Sequence, residues 1–177
     1  MRSLIYLLLL GVVLLTLAMV VRSGIMASKH PGEPINSAMR AAMAESAPQL
    51  SEADANVIRK DFPTEYTTPS GLMYINRDPG TGNRTPKAGD TVVAQYSGRL
   101  LDGTPFDSSF VHGGPFTFKV GMGEVIKGWD EAFLSMKKGA KRTLIIPYWL
   151  GYGEAGRPPA IPARATLVFD VELVDFH

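Results

Sequence analysis

An uninterrupted apolar run limits this chain before any other feature. Leu4 to Val21 is 18 residues without a charge, bounded by Arg2 and Arg22 and interrupted only mildly by Gly11 and Thr16. At 1.5 Å per residue, about 18 helical residues span roughly 27 Å, close to the hydrocarbon thickness of a bilayer. The expectation is an N-terminal apolar helix acting as an uncleaved signal anchor. A cleaved signal peptide is the alternative, and a buried soluble helix is a third reading. The small-residue cleavage pattern of a signal peptide is poor at both Val21-Arg22-Ser23 and Ile25-Met26-Ala27. Export of the C-terminal part is the expected topology, although the flanking cations Arg2, Arg22 and Lys29 nearly balance across the segment.

This run also explains a composition that otherwise looks ordinary. The whole chain is 45% hydrophobic. Without the first 21 residues the fraction falls to about 40%, normal for a globular domain. The formal charge of +1 excludes a general polyanion surface, so no nucleic-acid partner is expected. With no cysteine, disulfide frameworks, thiolate metal sites and thiol nucleophiles are all excluded.

Residues 23–65 read as a tether rich in Ala, Ser, Pro and charge, holding the next domain off the membrane or serving as a dimerisation element. Two short helices are expected there. Ser37 caps a run to Ala47 with an apolar stripe of Met39, Ala42 and Met43; Ser51 with Asp54 resembles a capping box opening a helix to about Lys60. From residue 66 to 177 the texture changes to alternating segments separated by turns. Strands are expected at Leu72–Asp78, Thr91–Leu101, Pro115–Val120, Lys141–Pro147 and Ala165–Phe176. Ile126, Trp129, Phe133 and Met136 recur at helical steps before Gly139. Five strands and one short helix imply an α+β domain with an antiparallel sheet wrapped around that helix.

Familiar reactive chemistry is missing. His30, His112 and His177 show no metal-ligand spacing, and Ser108-Ser109 lacks a nucleophile elbow. Gly121-Met122-Gly123-Glu124 matches no phosphate loop, and Lys137, Lys138, Lys141 and Arg142 read as a solvated turn. What is concentrated is aromatic: Tyr96, Phe106, Phe116, Phe118, Trp129, Tyr148, Trp149, Tyr152 and Phe169. Periodicity alone leaves open whether these are core or the walls of an apolar pocket.

Three ordered motifs carry a resemblance. Val93-Ala94-Gln95-Tyr96-Ser97-Gly98 with Leu101-Asp102-Gly103-Thr104-Pro105-Phe106-Asp107-Ser108-Ser109 is the first. Pro115-Phe116-Thr117-Phe118, Gly121 and Val125-Ile126-Lys127-Gly128-Trp129 form the second. Tyr152-Gly153-Glu154-Ala155-Gly156, Ile161-Pro162 and Ala165 to Leu173 form the third. Over residues 66–176 they resemble the FKBP-type peptidyl-prolyl cis-trans isomerases. The resemblance implies a five-stranded antiparallel half-barrel around the helix. It also implies a pocket lined by Tyr96, Phe106, Asp107, Phe116, Val125, Ile126, Trp129, Tyr152, Ile161 and Phe169, with Trp129 as its floor.

The implied activity is X-Pro isomerisation of polypeptides without metal or cofactor, with macrolides such as rapamycin as competitors. In that reading Trp129, Phe169, Tyr96 and Phe116 hold the proline ring, while Val125 and Ile126 close one side. The Tyr152 hydroxyl and the Ile126 N–H face substrate carbonyls. Asp107 orients Tyr96 or biases the field at the twisting bond; as a plain turn cap it does neither. A proline-peptide-binding or chaperone module with little turnover is the alternative. Two positions depart from the family pattern: Arg157 replaces a histidine sometimes found there, and Tyr148-Trp149 resembles a longer, bacterial-type loop.

Overall fold

The computed structural model describes residues 48–63 and 66–177. The apolar run 4–21 and the helix expected at 37–47 lie outside the described residues. Among the described residues, no helix is long and apolar enough to cross a membrane. Residues 48–177 form one compact unit.

Helix α1 (Glu52–Asp61) begins where its capping signal places it. The Ser51 hydroxyl accepts the Asp54 amide at 3.0 Å, acidic Glu52 and Asp54 occupy the first turn, and basic Arg59 and Lys60 the last. Both charge placements oppose the helix dipole. Strands β1 (Tyr66–Thr67), β2 (Met73–Asp78), β3 (Thr91–Leu100), β4 (Pro105–Ser108) and β5 (Phe116–Lys119) follow. Helix α2 (Lys127–Phe133), β6 (Lys141–Ile146), a 3-10 turn (Tyr148–Leu150) and β7 (Leu167–Phe176) complete the domain.

The sheet is antiparallel in the order β1-β2-β6-β7-β3-β4, with β5 also pairing with β3. It therefore has seven strands, not the expected five. The difference has two sources. The two-residue β1 is too short to produce a periodic signal. β4 was hidden in a turn-rich motif: it pairs with Ser97–Arg99 of β3, while β5 pairs with Thr91–Ala94 along the same edge. One lane of the sheet is thus built from two short strands separated by the 109–115 loop, and that break leaves room for a site.

The inner face of the sheet and α2 enclose the main core. Val92, Ala94 and Tyr96 of β3, Leu144 and Ile146 of β6, and Phe169, Val171 and Leu173 of β7 meet Trp129, Ala132 and Phe133 of α2. The outer face explains a pattern that alternation does not. Leu144, Ile145 and Ile146 are all fully buried, although successive strand residues point to opposite faces. Met73, Ile145 and Val168 lie side by side across β2, β6 and β7. Ile58 of α1, within the stretch read as tether, covers Met73 and Ile145, with Leu50, Phe62 and Leu101 at the border. A hydrogen bond of 2.6 Å from Thr166 Oγ1 to Asp54 ties the same helix down.

The basic cluster divides in the fold. Lys138 pairs with Asp175 at 2.8 Å and Lys141 with Glu172 at 3.3 Å, both at the surface. Arg142 instead closes the end of α2. Its guanidinium donates to the carbonyls of Ala132 and Ser135, each at 3.2 Å, and stacks 4.3 Å from the Tyr74 ring centroid.

Candidate functional site

The pocket grows from the alternation of β3 and β7. Tyr96 and Gly98 face inward from β3, and Phe169 faces inward from β7, with Gly98 paired directly against Phe169. The absent side chain at Gly98 is what lets two rings close on this point. A Cβ there would lie 2.7 Å from Phe169 Cε1 and 2.8 Å from Phe106 Cε2 and Cζ, inside contact distance. Trp129, on the first turn of α2, supplies the base. Its ring centroid lies 5.1 Å from Tyr96, 5.2 Å from Phe169, 6.3 Å from Phe116, 5.7 Å from Phe118 and 5.4 Å from Phe133. Most of these pairs meet edge to face, the favoured arrangement for aromatic quadrupoles.

The expected site residues are brought together, though at different depths. Tyr96, Trp129, Ile161 and Phe169 are buried in the core; Phe106, Val125, Ile126 and Tyr152 are half-buried against it. Phe116 stays 43% exposed, so one aromatic wall remains open to an incoming ligand. Ile126 is the N-cap of α2, a position whose own N–H the helix does not use. The Trp129 Nε1 donor is buried without a hydrogen-bond partner.

One carboxylate interrupts this apolar surface. Asp107 Oδ2 accepts the Tyr96 hydroxyl at 2.8 Å, and Oδ1 accepts the Ser108 amide at 2.8 Å and faces His112 Nε2 at 2.7 Å. Burial alone would raise the Asp107 carboxyl. The hydrogen bonds from Tyr96, His112 and Ser108 outweigh it and hold the group below the usual carboxylate range. The same pair acts oppositely on Tyr96, whose phenol is pushed far above its ordinary value by burial first, then by the hydrogen bond and charge of Asp107. Tyr96 therefore remains a neutral donor and Asp107 an anion throughout the physiological range.

A family model described as FKBP-type peptidyl-prolyl cis-trans isomerase matches residues 82–174. The chain belongs to this FKBP family. It is 50% identical over 123 residues to FK506-binding protein 4 of Dictyostelium discoideum, covering 68% of this chain and 33% of that protein. It is 59% identical over 86 residues to the peptidyl-prolyl cis-trans isomerase FKBP15-2 of Arabidopsis thaliana, covering 49% and 53%. The chain thus spans a third to about half of the length of these two curated relatives. Among solved structures, FkpA from Escherichia coli superposes with a TM-score of 0.64 at 40% identity, covering 79% of this chain and 65% of that one. AtFKBP13 gives 0.60 at 40% identity, covering 63% and 97%.

In this FKBP domain the sequence motifs dismissed for catalysis have structural duties. Ser109 is buried, and its Oγ accepts the Tyr96 amide at 3.0 Å and contacts Gln95 Oε1, pinning the 109–115 loop to β3. The glycine pattern at 121–123 offers its amides to Asp130 of α2, from Gly121 at 2.8 Å and Gly123 at 2.9 Å, so those donors are already taken. The two aromatics preceding Tyr152 are engaged elsewhere. Trp149 donates to the Ser70 carbonyl at 2.8 Å, and the Tyr148 hydroxyl accepts from Arg164 at 3.1 Å. Arg157 lies 5.9 Å over the Tyr152 ring, on the rim. Sequence reasoning missed His112 at the site. It stands five residues beyond Asp107 in a non-periodic loop, and only the turn through Ser109 brings the two together.

Proposed function

We propose that this domain catalyses cis–trans isomerisation of X-Pro bonds in polypeptides. The observation that carries the proposal is the box of Tyr96, Phe116, Trp129 and Phe169, open at Phe116 and holding one hydrogen-bonded carboxylate at its edge. Amide resonance sets the uncatalysed barrier at about 18–20 kcal/mol, and the reaction breaks no covalent bond. The twisted amide is less polar at its carbonyl than the planar one. A water-poor aromatic pocket destabilises the planar dipole more than the twisted form, which lowers the barrier by differential binding.

Within this reading Trp129 forms the floor under the proline ring, with Tyr96, Phe116 and Phe169 as walls and Val125 and Ile161 beside them. Phe106 packs at 5.4 Å on Phe169 and sets that wall. The Ile126 N–H and the Tyr152 hydroxyl serve as donors to substrate carbonyls. Asp107 fixes the Tyr96 phenol and places a negative charge at the pocket edge. The test is a protease-coupled assay on a proline peptide. Acceleration by the wild type and its loss in Trp129→Ala support the reading; an unchanged rate at micromolar protein refutes it and leaves a binding module. Rapamycin is expected to compete with the peptide.

We further propose that the run Leu4–Val21 anchors the chain with the domain on the extracytoplasmic side, with a soluble exported form after cleavage as the alternative. The support is its length and lack of charge. The mature N-terminal residue, read by mass spectrometry of native protein, separates them. Met1 retained marks an anchor, and a start near Gly24 or Ser28 marks cleavage.

A further inference from the structure

Asp107 spends its two oxygens on different neighbours. Oδ2 faces inward to the Tyr96 hydroxyl, while Oδ1 faces outward to the Ser108 amide and the His112 ring. An ionised carboxylate only accepts, so the proton of this last contact sits on His112 Nε2. The loop bearing His112 is folded around Ser109, whose carbonyl accepts the amides of His112 and Gly114, both at 3.2 Å. Between this loop and the pocket lies a cleft of about 290 Å³ lined by Tyr96, Ser109, His112, Gly113, Pro115 and Phe116. The His112 side chain is 62% exposed, so its contact with Asp107 is not imposed by core packing.

We propose that His112 is a positioning residue for the isomerisation. By holding the outer oxygen of Asp107 it fixes the carboxylate in the orientation that receives Tyr96, and it closes the 109–114 loop against the cleft beside Phe116. The inference rests on the isomerase reading given above. The groups facing Asp107 are Tyr96 from β3 and His112 and the Ser108 amide from its own segment, and Tyr96 also feels the Tyr152 phenol. The hydrogen bond exists with either form of the imidazole, but the ion pair exists only with the protonated ring.

The experiment compares wild type, His112→Ala, His112→Gln and His112→Asp in the full chain. It measures kcat/KM from pH 3 to 8, the melting temperature, and the carboxyl titration of Asp107 by 13C NMR. For an exposed pair the expected loss in His112→Ala is about two- to fivefold in kcat/KM, with Asp107 titrating at higher pH and little change in melting temperature. His112→Gln, which keeps a donor without the charge, recovers most of the rate. His112→Asp sets a second carboxylate against the first and falls below His112→Ala. An active wild type whose His112→Ala variant keeps both its rate and its Asp107 titration overturns the positioning role alone. Equal rates for His112→Ala and His112→Asp do the same. A wild type that accelerates no X-Pro peptide overturns the parent reading and this role with it.

Discussion

Replacing Gly98 by alanine tests whether the pocket depends on a missing methyl group. Gly98 lies in β3 beside the register shift between Gly98 and Arg99 and is not among the glycines with positive φ, so alanine meets no left-handed backbone strain. Its only effect in the folded state is steric. The new Cβ lies 2.7–2.8 Å from one atom of Phe169 and two of Phe106, against an optimal carbon–carbon separation of about 3.5–4.0 Å. Phe169 does not yield freely, being buried 5.2 Å from Trp129 and 5.4 Å from the half-buried Phe106. Overpacking of this kind costs about 1–3 kcal/mol, while loss of glycine freedom in the unfolded chain returns about 0.4–1 kcal/mol. The net expectation is a folded protein destabilised by roughly 1–2 kcal/mol, with kcat/KM on a proline peptide reduced at least about tenfold as the ring wall shifts. Phe106→Leu in the same chain removes two of the three close atoms, and a double-mutant cycle should recover roughly half of the lost stability. Urea unfolding and the coupled isomerase assay read the two effects. Unchanged stability together with an unchanged rate would show that the rings are not held in place, and would refute the reasoning.

Three further outcomes follow from other contacts. Asp107 has a depressed carboxyl in the fold, so its stabilising contribution is present above the unfolded carboxylate value and is lost as pH falls through the folded one. The gap in melting temperature between wild type and Asp107→Asn is therefore expected at pH 6 and should shrink progressively as pH falls below about 4; a gap independent of pH contradicts this. Ile58→Ala uncovers Met73 and Ile145 and is expected to cost about 2–4 kcal/mol in urea unfolding with kcat/KM unchanged, because α1 lies on the face of the sheet away from the pocket. Trp129→Ala is expected to abolish rapamycin binding in calorimetry, and affinity retained within about threefold of wild type would remove Trp129 from the floor.

How much of this was legible beforehand depended on periodicity. β3 and the part of β7 beyond Val168 were readable because core-facing residues alternate there with less buried ones, and α2 because Trp129 and Phe133 recur at helical spacing. The start of α1 was readable from Ser51 and Asp54, a local interaction needing no tertiary context. Its docking was not, because one buried residue, Ile58, makes no pattern. β4 was hidden for a related reason: four residues supply two alternations at most. The ten pocket residues came from motif resemblance; spacing left core and pocket undivided. His112 matched neither signal, since its role depends on a loop geometry set by Ser109.

The ambiguity between core and pocket is a property of the molecule as well as of its sequence. The Trp129 indole touches five other rings and is buried like any core residue. Yet its Nε1 donor has no partner, a state that costs about 1–3 kcal/mol for a buried polar group. Stability alone would favour a phenyl ring here, which carries no donor and gives up only part of the buried area. The indole makes sense if a broad, flat floor beneath the open wall at Phe116 is itself required. A reaction that breaks no covalent bond leaves a protein little to act with except the shape and dryness of such a surface. The side chains that hold the domain together are then the ones that act on the substrate, so replacing one of them moves stability and rate together. His112, at the edge of the pocket and 62% exposed, is where the two separate.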